Sequence, residues 1–83
     1  MIDKKVVLIT GAAGKLGASF SKEILEKNGS VIMVDIDKKR LNKLLETLPS
    51  ERVLGYSCDA SNKKELSSVI ELAIKKFGKI DAA

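Results

Sequence analysis

Three glycines near the start of the chain have the spacing that a phosphate-binding turn requires. Gly11, Gly14 and Gly17 lie in the stretch VVLITGAAGKLGASF, between an apolar run and a segment with helical periodicity. The N-terminus of a helix has unpaired N–H groups and a partial positive charge, so it stabilises an anion wherever no side chain blocks the approach. We expect Gly11 to make the turn out of the strand, Gly14 to admit a pyrophosphate and Gly17 to let the helix pack closely.

An aspartate at the end of the next apolar run extends this pattern. Asp35 follows the run VIMV and lies 18 residues after Gly17, close to the ~20 residues typical of dinucleotide-binding units. A carboxylate there can accept both ribose hydroxyls of an adenosine and repels a 2′-phosphate, which predicts NAD rather than NADP. A tight turn followed by a solvated aspartate is the alternative interpretation. Four basic residues could hold a 2′-phosphate and so favour NADP, or they could simply lie on solvated helix faces: Lys15, Lys38, Lys39 and Arg40.

A second aspartate, Asp59, comes at the end of a weaker third apolar run. In folds of this type the strand ends line the crevice that holds the adenine. Asp59 is equally compatible with a turn or cap before a helix that begins near Asn62. Its neighbour Cys58 is typical of a small buried strand residue. The sequence has no histidine and no cluster with metal-ligand spacing, so we expect no metal site.

Apolar runs alternate with segments of helical periodicity along the whole chain. The runs at residues 6–9, 31–34 and 53–58 have the composition of buried strands. Asp37 and Asn62 are candidate N-terminal caps for the second and third helices. The helix-forming apolar positions are Leu16, Phe20 and Ile24 in the first segment, Leu41, Leu44, Leu45 and Leu48 in the second, and Leu66, Val69, Ile70, Ala73 and Phe77 in the third; the ends are Asn28-Gly29, Pro49 and Gly78.

This alternation predicts an α/β fold with parallel strands joined by crossover connections. We expect half of a Rossmann fold, with three parallel strands in the order 3-2-1, two helices on one face and the third helix on the other. Residues 1–83 would form one partial NAD(P)-binding domain that stops before a catalytic half. With 83 residues the chain is too short for two domains, and it buries only a modest core.

Composition excludes several classes of function. The net charge of +4 comes from lysines scattered through every segment, aromatic residues make up only 4% and tryptophan is absent. A nucleic-acid-binding protein usually concentrates its basic residues and often stacks bases on aromatic rings, so the composition argues against a nucleic acid as partner. The single cysteine allows no internal disulfide, and no signal sequence or membrane-spanning stretch is apparent, so the expected location is cytoplasmic.

The motifs together resemble the short-chain dehydrogenase/reductase superfamily. The matching pieces are TGAAGKLG at 10–17, VIMVDID at 31–37, CDASN at 58–62 and FGKID at 77–81, in the order of the family. The resemblance covers the whole chain but about the first third of a typical member. It implies that the Leu16 backbone contacts the pyrophosphate and that Asp59 accepts from the adenine amino group, with the Ala60 backbone alongside. The implied cofactor-binding residues are Gly11, Gly14, Lys15, Leu16, Asp35, Asp59 and Ala60.

Two departures from the family pattern affect the functional interpretation. The shorter members of the family usually read TGxxxGxG, whereas this chain reads TGxxGxxG, like the longer epimerase-like members, with Lys15 where a glycine would stand. The family's catalytic serine and Tyr-x-x-x-Lys pair are absent, because the only tyrosine, Tyr56, is followed four residues later by Ala60. Without an acid–base group, hydride transfer has no proton partner, so no catalytic residue is assigned.

The sequence thus predicts a dinucleotide-binding fragment of an oxidoreductase, with NAD as the expected cofactor and without catalytic activity of its own. A stand-alone nucleotide-binding or self-associating module is the alternative, and a basic nucleic-acid binder a weaker one. An unpaired edge of the first strand, Val6–Thr10, would face water, an arrangement that proteins avoid. We therefore expect a homodimer in which this strand pairs antiparallel with its copy, the third helices covering the seam.

Overall fold

The structure, a computed structural model, describes residues 4–82. Within this range a three-stranded parallel sheet is flanked by helices, and one turn of 3₁₀-helix precedes the last strand. The elements are β1 (Val6–Thr10), α1 (Lys15–Glu26), β2 (Ser30–Asp35), α2 (Lys38–Leu45), the 3₁₀ turn (Ser50–Arg52), β3 (Val53–Ser57) and α3 (Lys63–Phe77).

The strand β2 lies in the centre of the sheet, between β1 and β3. Val7 of β1 pairs with Val31 of β2, and Val31 in turn pairs with Val53 of β3. The four residues from Val31 to Val34 are completely buried, as a β-branched and apolar run must be when both faces of a parallel sheet are covered. The predicted strand order 3-2-1 is confirmed.

Each face of the sheet carries its own apolar core. On one face α1 and α2 bury Ile24, Leu25 and Leu41 against Val31 and Met33 of β2. On the opposite face α3 packs on the alternate strand positions through a separate cluster, made of Val6, Leu8, Ile32, Val34, Cys58, Val69 and Ala73. The predicted fold class, α/β with helices on both faces, is therefore confirmed, including the division of two helices on one face and one on the other.

The predicted caps of α2 and α3 and the end of α3 at Gly78 agree with the structure, whereas α2 ends at Leu45, before the predicted Leu48 and Pro49. The Asp37 side chain caps α2 by accepting from the Arg40 N–H at 3.1 Å. The Asn62 side chain caps α3 by accepting from the Lys64 and Glu65 N–H groups at 3.1 and 3.2 Å. Gly78 ends α3 in the left-handed conformation, with φ of 84°, which only glycine adopts without strain.

The buried side of α1 differs from the predicted one. Of the three predicted apolar positions only Ile24 is buried, together with Ser21 and Leu25, whereas Leu16 and Phe20 are 69% and 50% exposed. The Ser21 hydroxyl is buried without cost in hydrogen bonding because it donates to the Gly17 carbonyl at 2.8 Å. The four-residue spacing therefore identified the helix and its buried Ile24 correctly, but it wrongly placed Leu16 and Phe20 on the buried side.

The free edge of β1 is partly covered by residues close to the end of the chain. The Leu8 N–H donates to the Ala82 carbonyl at 2.9 Å, and the Asp81 N–H donates to the Val6 carbonyl at 2.8 Å. The Asp81 carboxylate also accepts from the Val6 N–H at 2.8 Å, and this bond, more than nearby Lys79, lowers the pKa of Asp81. Within residues 4–82 the Val6–Leu8 part of the edge that was expected to be open is therefore paired.

None of the helices within residues 4–82 combines the length and the apolarity needed to cross a membrane. Over the same residues, the histidine, cysteine and acidic side chains form no group of three or more arranged to hold a metal ion.

Candidate nucleotide-binding site

A concavity of about 290 Å³ lies at the carboxyl ends of the three strands. This is the edge at which open parallel sheets bind their ligands. Sequence reasoning selected four of its residues, which the fold brings together from distant parts of the chain: Gly11, Asp35, Asp59 and Ala60. The remaining lining residues are Thr10, Val34, Ile36 and Cys58.

The three glycines of the segment that joins β1 to α1 differ in how strongly the fold requires glycine. Gly11 has φ of 64°, the left-handed conformation that the tight turn requires. A Cβ at Gly17 would lie 2.5 Å from the Gly11 carbonyl oxygen and 2.8 Å from the Ala12 Cα, so α1 could not pack against the turn. Gly14 has an ordinary extended backbone, and its Cβ would meet only the Gly11 oxygen at 3.4 Å. The fold itself therefore does not demand glycine at position 14.

Among the described residues, 4–82, no side chain caps the N-terminus of α1. Gly14 occupies the N-cap position, and the first turn of the helix contains no acidic residue. Lys15 and Leu16, the first two residues of the helix, are both exposed. Because the first N–H groups of a helix have no partner within the helix, this end offers donors and a partial positive charge to an anion.

Asp35 stands at the junction of β2 with the glycine turn. One oxygen of its half-buried carboxylate, Oδ2, accepts from the Ala13 N–H at 2.9 Å, and Oδ1 accepts from the Asp37 N–H at 2.8 Å. The Ala12 N–H donates to the Val34 carbonyl at 3.1 Å. The turn is thus fastened to the end of β2 by one backbone bond and one carboxylate bond.

Asp59 lies on the other side of the concavity and forms part of a compact turn. Its Oδ1 accepts from both the N–H and the hydroxyl of Ser61, at 2.9 and 2.7 Å, and these bonds lower the pKa of Asp59. The adjacent Cys58 is buried, and burial is the main reason that the pKa of its thiol is raised. Cys58 is therefore a protonated, apolar part of the wall at neutral pH.

Four lining residues were not selected as site residues from the sequence: Val34 and Cys58, which are buried, and Thr10 and Ile36. Ile36 is 72% exposed although it is a large aliphatic residue, and Thr10 ends β1 beside the turn. The signal for Ile36 was present, because an apolar side chain placed between two aspartates just after a strand has no core to enter. Lys15, Leu16 and Gly14 do not line the concavity but follow it at the start of α1.

Comparison with known proteins places these residues in a family. The family model described as short chain dehydrogenase matches residues 5–82. The chain belongs to the short-chain dehydrogenase family. It is 32% identical to the post-translational flagellin modification protein A of Campylobacter coli over 98% of the chain, which corresponds to 33% of that protein.

Solved structures of the family have the same arrangement of strands and helices. A 3-ketoacyl-(acyl-carrier-protein) reductase from Brucella melitensis complexed with NADH superposes with a TM-score of 0.89 at 30% identity, over 98% of this chain and 33% of that one. A short chain dehydrogenase/reductase from Burkholderia phymatum in complex with NAD gives 0.88 at 28% identity, over 95% and 29%. This chain spans about a third of the length of its relatives and corresponds to their N-terminal nucleotide-binding region.

Proposed function

We propose that this chain binds the adenosine and pyrophosphate portion of NAD at the carboxyl edge of its sheet. The observation that carries the proposal is the 2.9 Å hydrogen bond from the Ala13 N–H to the Asp35 carboxylate. It brings the uncapped start of α1, which suits a phosphate, next to the acidic group that suits a ribose. Two family members with this architecture were solved with NADH or NAD, which supports the same cofactor here.

The pyrophosphate is assigned to the β1–α1 turn and the N-terminus of α1. Gly14 is the residue whose missing Cβ leaves space there, since its own backbone would tolerate a side chain. The backbone of Leu16 and the charge of Lys15 are close to the same point, at the start of the helix. Unpaired N–H donors and a nearby cation form a donor set that fits a diphosphate.

The ribose and the adenine are assigned to the strand ends. Asp35 would accept from the ribose hydroxyls, while Asp59 and the backbone of Ala60 would recognise the adenine edge. The exposed side chain of Ile36 supplies apolar surface for the flat base. A 2′-phosphate next to the Asp35 carboxylate would be repelled, so NAD is preferred over NADP despite the exposed Lys38 and its basic neighbours.

Binding without turnover is the expected activity of the 83-residue chain. NAD supplies a hydride acceptor when it is bound, but Tyr56, the only tyrosine, lacks the lysine partner that the family uses. It lies on β3, half exposed and outside the concavity. We expect no cofactor-dependent oxidation or reduction above background in assays with the purified chain.

Titration calorimetry with NAD and NADP tests the proposal. We expect weak binding with NAD preferred, and Gly14→Ala should reduce the affinity for NAD by roughly ten- to a hundredfold, because the new methyl group occupies the phosphate approach. The Asp35→Ala variant should lose the preference between the two cofactors. Absence of NAD binding by the folded wild-type chain would refute the assignment, and an unchanged preference in Asp35→Ala would show that Asp35 does not read the ribose.

Self-association is a second candidate function, favoured by an open apolar concavity of about 520 Å³ beside β1. Val7, Ile9 and Ile24 line it, and Phe20 at its rim is half exposed. Because Asp81 and Ala82 already bond to the first half of β1, a second copy would contact the chain at Ile9–Thr10 and Phe20.

Light scattering at micromolar concentration tests the homodimer. It should give a dimer for the wild type and for Lys43→Glu, which lies on the exposed surface of α2, and a monomer for Phe20→Glu. A monomeric wild-type chain would refute the homodimer.

A further inference from the structure

Asp35 makes hydrogen bonds that are not needed for binding a ribose. Its carboxylate joins two separate backbone segments, the β1–α1 turn through Ala13 and the β2–α2 turn through Asp37, at 2.9 and 2.8 Å. The Ala13 bond spans 22 residues of sequence. It therefore fixes the position of the glycine turn relative to the sheet.

The neighbouring backbone bond would not by itself hold the turn in this position. The Ala12 N–H donates to the Val34 carbonyl and so continues the pairing of β1 with β2 by one residue. Beyond Ala12 the chain turns away, and its next cross-link to the sheet is the Ala13–Asp35 bond. The segment from Ala13 to Gly14, where the pyrophosphate is assigned, depends on this bond for its orientation.

The carboxylate has the capacity to hold the turn and to bind a ribose simultaneously. An ionised aspartate presents about four lone-pair sites on its two oxygens. The Ala13 and Asp37 N–H groups use one site on each oxygen. One site on each oxygen remains for a hydroxyl donor, so the turn need not open when the nucleotide enters.

We infer that Asp35 is a positioning residue for the phosphate-binding turn as well as the ribose acceptor. The inference rests on the proposed function, because the turn is assigned to a phosphate, but its test needs no nucleotide. Its consequence is that the two halves of the site are coupled. Neutralising Asp35 removes the ribose acceptor and also releases the turn that presents the α1 N-terminus. Affinity should therefore fall for NADP as well as for NAD, although relief of charge repulsion alone would raise the affinity for NADP.

The Asp35→Asn variant separates this inference from a role in ribose binding alone. An amide has one acceptor oxygen, and its NH₂ group would face one of the two N–H donors. The matched control is Asp37→Asn, which removes the same charge two residues away and keeps a good N-cap for α2. The readout is amide hydrogen exchange in the 83-residue chain without nucleotide, measured by NMR as the ratio of the Ala13 rate to the Ala12 rate. Because Ala12 is bonded to the Val34 carbonyl, this ratio corrects for any general loss of stability.

We expect the ratio to rise on the order of tenfold in Asp35→Asn, the effect of losing a charge-assisted hydrogen bond, and to stay at its wild-type value in Asp37→Asn. An upfield shift of the Ala13 amide proton should accompany the change. An unchanged ratio in Asp35→Asn, including faster exchange that is equal at both positions, would overturn the inference. Failure of the proposed function is a different result, the absence of NAD binding in the wild-type titration.

Discussion

Two loops at the same edge of the sheet connect a strand to a helix by opposite means. The β3–α3 loop satisfies its own polar groups: Asp59 accepts from Ser61, and Asn62 caps the helix by accepting from two N–H groups. The β1–α1 loop ends in Gly14, and no side chain caps its helix. A helix end that the protein completes adds stability, whereas one left incomplete retains donors for a ligand.

The difference lies in the side chains and not in the backbone. Gly14 and Asn62 both have the extended conformation of an N-cap, with φ of −73° and −85°. The helix α2 follows the pattern of α3, since Asp37 caps it. Among the three α-helices of residues 4–82, the uncapped one is the helix that begins next to Asp35 and the concavity at the strand ends.

The substitution Gly17→Ala should have the largest effect, because it breaks the packing of the uncapped helix on its own turn. Helix propensity alone favours alanine over glycine by ~1 kcal/mol. The new Cβ would nevertheless meet backbone atoms at 2.5 and 2.8 Å, which a side-chain movement cannot relieve. We expect a net loss of ~1–3 kcal/mol in the free energy of unfolding, measured by urea denaturation.

Gly14→Ala is the matched control for that experiment. Its Cβ lies at 3.4 Å from one oxygen, and the poorer N-cap is offset by the lower entropy of the unfolded chain, each about 0.5–1 kcal/mol. Its stability should stay close to wild type. Equal destabilisation by the two substitutions would contradict the separate roles given to the two glycines.

The substitution Asn62→Ala tests the opposite side of the comparison, the self-capped helix. It leaves the N–H groups of Lys64 and Glu65 without their side-chain acceptor. The expected loss is ~1 kcal/mol in the free energy of unfolding. NAD binding should be unchanged because the Asn62 side chain bonds to Lys64 and Glu65, which are not assigned to the nucleotide. Asn62→Ser, which keeps an acceptor, should remain near wild type. A loss of NAD affinity at unchanged fold would show that the two loops are not independent.

Much of this comparison could be predicted from the sequence because its signals are local. The caps at Asp37 and Asn62, the left-handed Gly78 and the glycine turn each depend on a few consecutive residues. The buried strands could also be predicted, because continuous β-branched runs in a chain of this size are typical of buried strands.

What could not be predicted depends on contacts between distant residues. Spacing alone does not say that α1 turns Ser21 inward and Phe20 outward, since both stripes have helical period. The Asp35 bond to Ala13 depends on how the turn folds back on β2. Likewise, the pairing of Ala82 with Val7 on the edge of β1 requires the whole sheet to be in place.

Adding a side-chain cap to α1 should increase the stability of the fold and weaken NAD binding. Gly14→Asp introduces an acceptor for the first-turn N–H groups and a negative charge at the positive end of α1. The expected gain is about 0.5–1 kcal/mol in the free energy of unfolding. NAD affinity should fall below detection, because the carboxylate occupies and repels the phosphate position. Retained NAD binding in this variant would place the pyrophosphate elsewhere.

The smallest expected effect concerns how the stability contributed by Asp59 in the β3–α3 loop depends on pH. The bonds that Asp59 accepts from Ser61 lower the pKa of its carboxyl, from an ordinary value of about 3.9. A group with a lowered pKa in the folded chain stabilises the fold above its unfolded pKa. That contribution is lost as the pH falls through the folded value.

Removing the hydroxyl with Ser61→Ala should therefore raise the pKa of Asp59 part of the way towards its ordinary value, since the Ser61 backbone bond remains. Carbon-detected NMR titration of the carboxyl measures this directly, with Ser67→Ala on the exposed side of α3 as the control that should leave it unchanged. If Ser61→Ala leaves the Asp59 titration where it was, the loop is not held by this hydroxyl and its contrast with the glycine turn rests on Asn62 alone.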